Sequence, residues 1–269
     1  MKKSRVVFAL SLLCGTVFGG ASEFVPLQQR AQGQALSGAS LLNDSIFSNP
    51  AASAFTNVYS LDATFRSPKH FATSILDTKT SAVGGALAYY RVPRAGSNDP
   101  VQGGRLGMVG RLSENFGLGV LGKIVWGPDL FGTQNRYTDM DIGMTGQFGA
   151  ISFGVNMNNV LGGNAAMGEK REYGVGARVN WQETMYFSLA LNGEVENFKP
   201  VQIGAGAEYV SPYYFSLKGG YLYRPATSIS YWTTGVSILS PKMSLHYALE
   251  IPNQTGASLE HTVGSTFQF

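Results

Sequence analysis

The sequence has little charge, one cysteine and three histidines. Only 14% of its 269 residues are Asp, Glu, Lys or Arg, and the formal net charge is +3. Because Lys2, Lys3 and Arg5 supply three positive charges at the N-terminus, the rest of the chain is close to neutral, which does not indicate nucleic acid as a partner. The single cysteine, Cys14, excludes an internal disulfide and a cysteine-ligated metal site.

The sequence also lacks an apolar run long enough to form a membrane-spanning helix. Residues Val6 to Val17 are apolar, but a spanning helix needs about 20 such residues. This run follows the basic residues and precedes Gly19, Gly20 and Ala21, which is the pattern of a secretory signal peptide. We therefore predict a cleaved signal over residues 1–21, which would also remove the cysteine.

Glycine is abundant, with 34 residues, and aromatic residues make up 12% of the chain. From Tyr59 to Phe269, segments of about ten residues alternate between apolar and polar side chains, as strands of an outer-membrane barrel do. The segments are 59–67, 69–77, 80–92, 103–112, 117–126, 138–148, 149–158, 171–181, 184–194, 200–210, 213–223, 229–239, 242–250 and 260–269. Most have the roughly 9–11 residues that a tilted strand needs to cross a bilayer.

The connections between these segments alternate in length. Tight turns are predicted at Asp77–Thr80, Ser113–Phe116, Gln182–Thr184, Ser211–Pro212 and Ser240–Pro241. Longer loops are predicted at 93–102, 127–137, 159–170 and 251–259, with one short outer connection at Ser67–Pro68. Short turns on the periplasmic side and longer loops outside are typical of outer-membrane barrels. An aromatic final residue resembles the C-terminal insertion signal of such barrels.

Nearly all charges in the segments fall on the face opposite the large apolar side chains. A charge in the lipid-facing wall costs about 2–4 kcal/mol near the midplane, so these residues are predicted to point into the lumen. The predicted lumen charge network consists of Arg105, Arg111, Lys123, Asp139, Asp141, Glu172, Arg178, Glu194, Glu208, Lys218, His246 and Glu250. Both signs occur in similar number, and buried charges of opposite sign are expected to pair.

Residues 22–58 do not alternate and precede the first strand. A short helix is predicted over Gln28–Leu42, followed by a break at Asn43–Ser45 and a turn at Asn49-Pro50. Two interpretations remain open. The segment is either a mobile periplasmic tail or a plug folded into the lumen.

The stretch from Gly33 to Ser40, followed by Asn43-Asp44-Ser45 and Asn49-Pro50-Ala51, resembles the mature N-terminus of the FadL/PorV-type outer-membrane proteins. Members of that family are fourteen-stranded barrels in which this segment forms a lumenal hatch. The resemblance implies that Asn49, Pro50 and Ala51 form the hatch turn. It also implies that Asn43 and Asp44 match a pair that is usually acidic, so the amide at Asn43 departs from the pattern.

The chain is short for a FadL-type transporter, whose long outer loops form a hydrophobic capture groove. Only 127–137 and 159–170 offer apolar side chains at the outer end, including Leu130, Phe131, Leu161 and Met167. PorV-type relatives differ in role, because they bind protein partners in secretion. The resemblance leaves both roles open.

Enzyme and metal chemistry are weakly indicated. Ser244 and His246 share a strand face, but that face is predicted to be lumenal, so His246 is interpreted as a hydrogen-bonding interior residue. Asp139 and Asp141 lie two apart on a strand and offer a pair of carboxylates to a cation, for which an interior charge network is the simpler explanation. The histidines lack metal-ligand spacing. We expect neither catalysis, nor a cofactor, nor a resident metal.

The sequence therefore predicts an all-β protein of three parts: a signal peptide (1–21), a short, partly helical N-terminal plug (22–58) and a transmembrane antiparallel β-barrel of about fourteen strands (59–269). The predicted location is the bacterial outer membrane, with its lipid as a partner. The leading functional hypothesis is passive uptake of small hydrophobic molecules in the manner of FadL-like transporters. The alternative is a non-transporting structural or PorV-like barrel that binds a periplasmic or secreted protein.

Overall fold

The computed structural model describes residues 24–67, 70–94, 96–254 and 258–269. The predicted signal peptide lies outside these ranges, as do residues 68–69 of the first outer connection. No helix within the described ranges is long and apolar enough to cross a membrane.

Fourteen antiparallel strands form one closed barrel, in which each strand pairs with its neighbours in the chain and β1 pairs with β14. The strands are β1 (Tyr59–Ser67), β2 (His70–Asp77), β3 (Val83–Val92), β4 (Val101–Arg111), β5 (Phe116–Pro128), β6 (Gln134–Phe148), β7 (Ile151–Asn158), β8 (Glu172–Trp181), β9 (Met185–Glu194), β10 (Lys199–Val210), β11 (Phe215–Arg224), β12 (Ile229–Leu239), β13 (Met243–Pro252) and β14 (Glu260–Gln268). The prediction of an all-β, fourteen-stranded barrel is therefore confirmed, and the predicted strand ends differ from these by a few residues.

The two faces of the wall differ as the alternation predicts. On β4, the outward-facing Leu106 and Met108 are 68% and 64% exposed, whereas the inward-facing Arg105 is only 2% exposed. Trp181, Tyr213 and Trp232 are exposed near strand ends, where interfacial aromatic girdles form in membrane barrels. An apolar outer surface around a charged interior is stable only if lipid surrounds the barrel.

The short connections lie at one end of the barrel, at 78–82, 112–115, 149–150, 182–184, 211–214 and 240–242. We call this the periplasmic end and the opposite one the outer end. The prediction that outer connections are long holds only in part, because the hairpins at 195–198 and 225–228 are as short as periplasmic ones. The long outer connection 159–171 contains a short 3₁₀ helix, Ala165–Met167.

Residues 24–58, which we call the N-terminal segment, contain little regular structure. They form one helix, α1 (Leu27–Ala31), and two 3₁₀ helices, Leu42–Phe47 and Pro50–Ser53. The helix predicted over Gln28–Leu42 is wrong beyond Ala31. Gly33 and Gln34 adopt positive φ angles of 62° and 56°, a conformation that cannot continue a right-handed helix.

Candidate functional site

The N-terminal segment lies inside the barrel, where nearly all of its residues from Phe24 to Ala54 are buried. Helix α1 packs against β11 to β14 in the outer half of the lumen. The 3₁₀ helix Leu42–Phe47 contacts β1 to β3, and Pro50–Ser53 contacts β4 to β7. The segment therefore descends across the lumen from the outer half towards the periplasmic end.

Glycines on the inner wall mark the path of this segment. At each of these positions an added Cβ would overlap an atom of the segment, so only glycine leaves enough space. We call this set the glycine track: Gly117, Gly119, Gly143, Gly154, Gly176, Gly204, Gly206, Gly220 and Gly235. The contacts are largely between main chains, since Gly38 lies against Gly154 and Gly176, and Gln32 lies against Gly206 and Gly220.

The glycine track was missed at the level of sequence, where glycine abundance was taken as a property of the sheet. A usable signal was present, because the track glycines occupy lumenal positions on strands β5 to β8 and β10 to β12. Such a row of small residues indicates close approach of another backbone.

The predicted hatch turn is held by the side chain of Asn49. Its Nδ2 donates to the carbonyl oxygens of Gly38 (2.7 Å) and Met144 (3.2 Å), and its Oδ1 accepts from the Ala51 amide (3.0 Å). Pro50 occupies the first position of the 3₁₀ helix, where a missing amide hydrogen costs nothing. One side chain therefore joins the turn to the rest of the segment and to strand β6.

Asn43 and Asp44 are both buried but have different partners. The Nδ2 of Asn43 donates to the Ser74 hydroxyl (3.0 Å), and its Oδ1 accepts from Ser60, which fastens the segment to β1 and β2. The carboxylate of Asp44 accepts from the Gln29 amide at 3.3 Å. Burial raises the pKa of the Asp44 carboxyl well above its usual range, and the nearby charge of Asp62 adds to the effect.

The first ionic cluster lies on β4, β5 and β6. The Nζ of Lys123 is 2.8 Å from Asp141, and the guanidinium of Arg105 is 3.4 Å from the same carboxylate. Arg105 also donates to the carbonyl oxygen of Ile46 at 2.9 Å, so this cluster holds the N-terminal segment as well as the wall.

Asp139, which the sequence placed in the charge network, fastens the outer connection 159–171. Its carboxylate accepts from the amides of Leu161 (2.9 Å) and Gly163 (2.8 Å), while Asp141 accepts from the Asn159 amide (2.9 Å). These two carboxylates receive amide hydrogens, and this arrangement explains them without a bound cation.

A second ionic cluster lies on β8, β10 and β11. Glu208 accepts from Arg178 at 2.9 Å and lies 3.2 Å from the Nζ of Lys218. Lys218 also donates to Ser216 (2.7 Å) and Ser237 (2.6 Å). The amide of Gln32 donates to Glu208 at 3.4 Å, which brings the segment into this cluster.

A third cluster contains three residues that sequence analysis did not select, Arg30, Arg66 and Glu260. Arg30 of helix α1 forms an ion pair with the buried Glu250 and lies 3.7 Å from Glu260, which in turn pairs with Arg66. Arg30 was missed because only charges within the predicted strands were considered.

The remaining predicted residues lie apart from these clusters. Arg111 donates to the carbonyl oxygens of Ala54 (3.1 Å) and Phe55 (3.3 Å) at the periplasmic end. Glu194 pairs with Lys170 at the outer rim (2.8 Å), and Glu172 faces Glu194 across the β8–β9 ladder.

His246 is a partly buried hydrogen-bonding residue. Its Nδ1 lies 2.9 Å from Gln28 Nε2 and 2.8 Å from Ser237 Oγ, and its Nε2 lies 3.3 Å from Thr266 Oγ1. Among the described residues, no three His, Cys, Asp or Glu side chains come together to form a metal site.

An apolar cluster lies on one side of the lumen beside these polar groups. It joins the N-terminal segment, strands β2 to β6 and the outer connection 159–171. Its members are Phe24, Ile46, Phe47, Ala72, Leu76, Ala88, Tyr90, Val92, Val101, Leu121, Val125, Tyr137 and Met167. Met167 is fully buried, and its carbonyl oxygen accepts from Arg94 at 3.0 Å. Above the cluster, Leu130 and Phe131 are exposed on the adjoining outer connection, which bonds to Ala166 through the Leu130 amide (2.8 Å).

Several solved structures share this architecture. The Pseudomonas putida toluene transporter TodX is 10% identical, with 94% of this chain and 99% of that chain covered and a TM-score of 0.69. The CymD monoaromatic hydrocarbon channel is 9% identical, with 93% and 99% covered and a TM-score of 0.69. A Pseudomonas aeruginosa FadL homologue is 9% identical, with 92% and 98% covered and a TM-score of 0.57.

The chain has the fold of the FadL-like outer-membrane barrels. No protein-family model matches the sequence, and the search of curated proteins finds no match. The likeness to these structures lies in the fold of the barrel. The resemblance drawn from the hatch residues of the sequence therefore agrees with the fold.

Proposed function

We propose that this FadL-like barrel admits small apolar molecules through the outer membrane, and that the N-terminal segment is a movable closure of its lumen. The observation that carries the proposal is the apolar cluster inside the lumen. Barrel interiors that conduct water-soluble solutes are polar, so an aromatic and aliphatic cluster of this size within the lumen favours apolar cargo.

The outer end provides a way into this cluster. Leu130, Phe131 and Leu161 are exposed on two connections, and Met167 lies beneath them as part of the cluster. Methionine adapts its shape readily, which suits a residue that must yield to an entering solute. An apolar molecule would bind first at the exposed side chains and then displace contacts around Met167.

The segment is suited to closing the lumen because its contacts are specific but separable. Asn49, Asn43 and Arg30 fasten it to the wall through side chains, while the glycine track receives its main chain without interlocking side chains. We propose that the turn Pro50–Ser53 and the residues after it move to admit a solute. TodX, a toluene transporter, and CymD, a monoaromatic hydrocarbon channel, suggest monoaromatic hydrocarbons as the first substrates to test.

Uptake of a radiolabelled monoaromatic hydrocarbon tests the proposal in intact cells that lack their own apolar-solute barrel. Expression of the protein is expected to raise the initial rate of uptake about tenfold. Met167→Asp places a charge in the cluster and should abolish the gain. Phe198→Asp, on an exposed tip away from the cluster, is the matched control and should retain it. Equal uptake with and without the protein would overturn the proposal.

A second function is favoured by the filled interior. Three ionic clusters and the N-terminal segment occupy the lumen, which suits a barrel that binds a periplasmic or secreted protein and transports nothing. In that case one protein should co-purify stoichiometrically from cells, and Met167→Asp should have no effect on its binding.

A further inference from the structure

Two cavities lie on one side of the N-terminal segment, next to strands β3 to β5. The smaller, about 10 Å³, is lined by residues that include Ser45, Ile46, Ser53, Val109 and Leu121. This is room for about one water molecule. The larger, about 410 Å³, opens at the periplasmic end and is lined by residues that include Ala54, Asn57, Lys79, Val109 and Arg111.

The two cavities and the apolar cluster share lining residues and therefore form a row. Ile46 and Leu121 belong to the apolar cluster and also line the smaller cavity. Val109 lines the smaller and the larger cavity. The row runs from the outer half of the lumen to the periplasmic opening, and Val109 is the lining residue that its last two spaces share.

We propose that this row is the exit route, which rests on the uptake function proposed above. A solute leaves the apolar cluster past Ile46, passes between Ser53 and Val109, and enters the periplasmic cleft. Strands β2 to β5 are paired along this wall without a shift in register, so the route leads down the lumen rather than sideways into lipid.

The opposite side of the lumen is held more firmly. There, α1 packs against β11 to β14, Arg30 pairs with Glu250, and the main chain of Gln32 lies directly against Gly206 and Gly220 of the glycine track. On the route side, the two 3₁₀ helices are joined by the hydrogen bond from Ser45 Oγ to Ser53 Oγ at 3.2 Å. Opening there is a movement of the second 3₁₀ helix and the residues after it away from Gly117 and Gly119.

Arg111 lines the larger cavity on the periplasmic side of Val109 and holds the closing part of the segment. Besides its hydrogen bonds to the carbonyls of Ala54 and Phe55, its guanidinium lies 5.4 Å from the centre of the Phe55 ring. Val109 is therefore the size-determining residue of the route, and Arg111 is the residue that keeps its lower end closed.

A reversible block at Val109 tests the route. Val109→Cys is introduced, intact cells are treated with benzyl methanethiosulfonate, and modification is measured by mass spectrometry. Uptake of the radiolabelled monoaromatic hydrocarbon should fall about tenfold and recover with dithiothreitol. Leu106→Cys, on the same strand but facing lipid, is the matched control, and its modification should leave uptake unchanged.

Each other result counts against the route. Full modification of Val109→Cys without loss of uptake overturns it, and so does a thiol that the reagent never reaches while Leu106→Cys reacts. If the unmodified variants and the original protein show no uptake above empty cells, the uptake function itself is wrong, and the route fails with it. As a second variant, Val109→Ala should raise uptake of a bulkier bicyclic hydrocarbon relative to a monocyclic one, and an unchanged ratio contradicts the size-determining role.

Discussion

Gly38 of the N-terminal segment and Gly176 of strand β8 face each other so closely that neither position has room for a Cβ. The atoms that such a Cβ would meet belong to the main chain of the opposite partner, and Gly154 of β7 makes a similar contact with Gly38. Because main-chain atoms in a barrel wall cannot move aside as a side chain can, these glycines determine where the segment lies.

Gly38→Ala should therefore loosen the segment without altering a strand. Overpacking of this kind costs about 1–3 kcal/mol. We expect higher conductance to small ions in planar bilayers and faster protease cleavage within residues 24–58. Gly85→Ala is the control, because open space surrounds its added Cβ. Equal conductance of the two variants would show that the contact with Gly176 does not fix the segment.

Asn49→Asp should weaken the closure at its turn. The substitution preserves shape but replaces the amide that donates to Gly38 and Met144 with a carboxylate that accepts only. Loss of buried hydrogen bonds with unsatisfied partners costs about 1–3 kcal/mol each. Replacing Asn49-Pro50 by Ala-Ala should also increase the leak of small solutes. Liposome swelling in small sugars measures the leak, with Asn115→Asp in the β4–β5 turn as control. If liposomes with the Asn49→Asp protein swell no faster than those with the original protein, this turn does not seal the lumen.

The ion pair of Arg30 with Glu250 should contribute more to the stability of the folded protein than the pair of Lys170 with Glu194 at the outer rim. Arg30→Met leaves a buried carboxylate without its nearest cation, and breaking such a pair costs about 3–5 kcal/mol. Lys170→Met removes the partner of Glu194 at the exposed outer rim, where a pair contributes at most about 1 kcal/mol. Thermal unfolding in detergent compares them, and the double variant Arg30→Met/Glu250→Gln should be milder than Arg30→Met alone. Equal losses at the two sites contradict this ranking.

Asp44 should make docking of the segment depend on pH. Burial raises the pKa of this carboxyl in the docked segment. Between the ordinary and the raised pKa, the docked segment therefore holds a proton that the undocked segment releases, and docking strengthens as the pH falls through the raised pKa. The gain is complete below about pH 4, the ordinary pKa of aspartate, where both states are protonated. Asp44→Asn should dock more tightly at neutral pH and lose this part of the pH dependence, as measured by conductance between pH 8 and 4. Asp99→Asn, in an outer connection, is the control. A pH profile unaltered by Asp44→Asn would contradict the assignment.

The strands could be predicted from the sequence because lipid on one side and charge on the other impose a strict period of two. The inward positions of Arg105, Lys123, Glu208 and Glu250 follow from that alternation. The hydrogen-bond and ion-pair partners of these residues could not be predicted from the alternation, because they depend on the register between strands and on the outer connection. Asp139 illustrates this, since its partners are amides of residues 161 and 163 in a connection with no alternation.

The N-terminal segment was the least predictable part of the chain. Its composition favoured a longer helix, but the space inside the barrel requires a path that turns at Gly33 and Gln34. The partners of Arg30 and Asn43 lie far away in sequence, on β13 and on β1 and β2, so no local pattern indicates them. The glycine track was visible in the sequence only once the lumenal face of each strand was known.

A reversible disulfide that fixes the turn Pro50–Ser53 tests the central claim. The claim is that apolar solutes pass only when this turn moves. Ser45→Cys/Ser53→Cys places two thiols where the hydroxyls lie 3.2 Å apart, and a disulfide there would fix the turn to the 3₁₀ helix that Asn43 fastens to β1 and β2. Oxidation should reduce uptake of the radiolabelled monoaromatic hydrocarbon about tenfold, reduction should restore it, and neither single variant should respond. Full uptake with the disulfide verified by mass spectrometry would contradict the account.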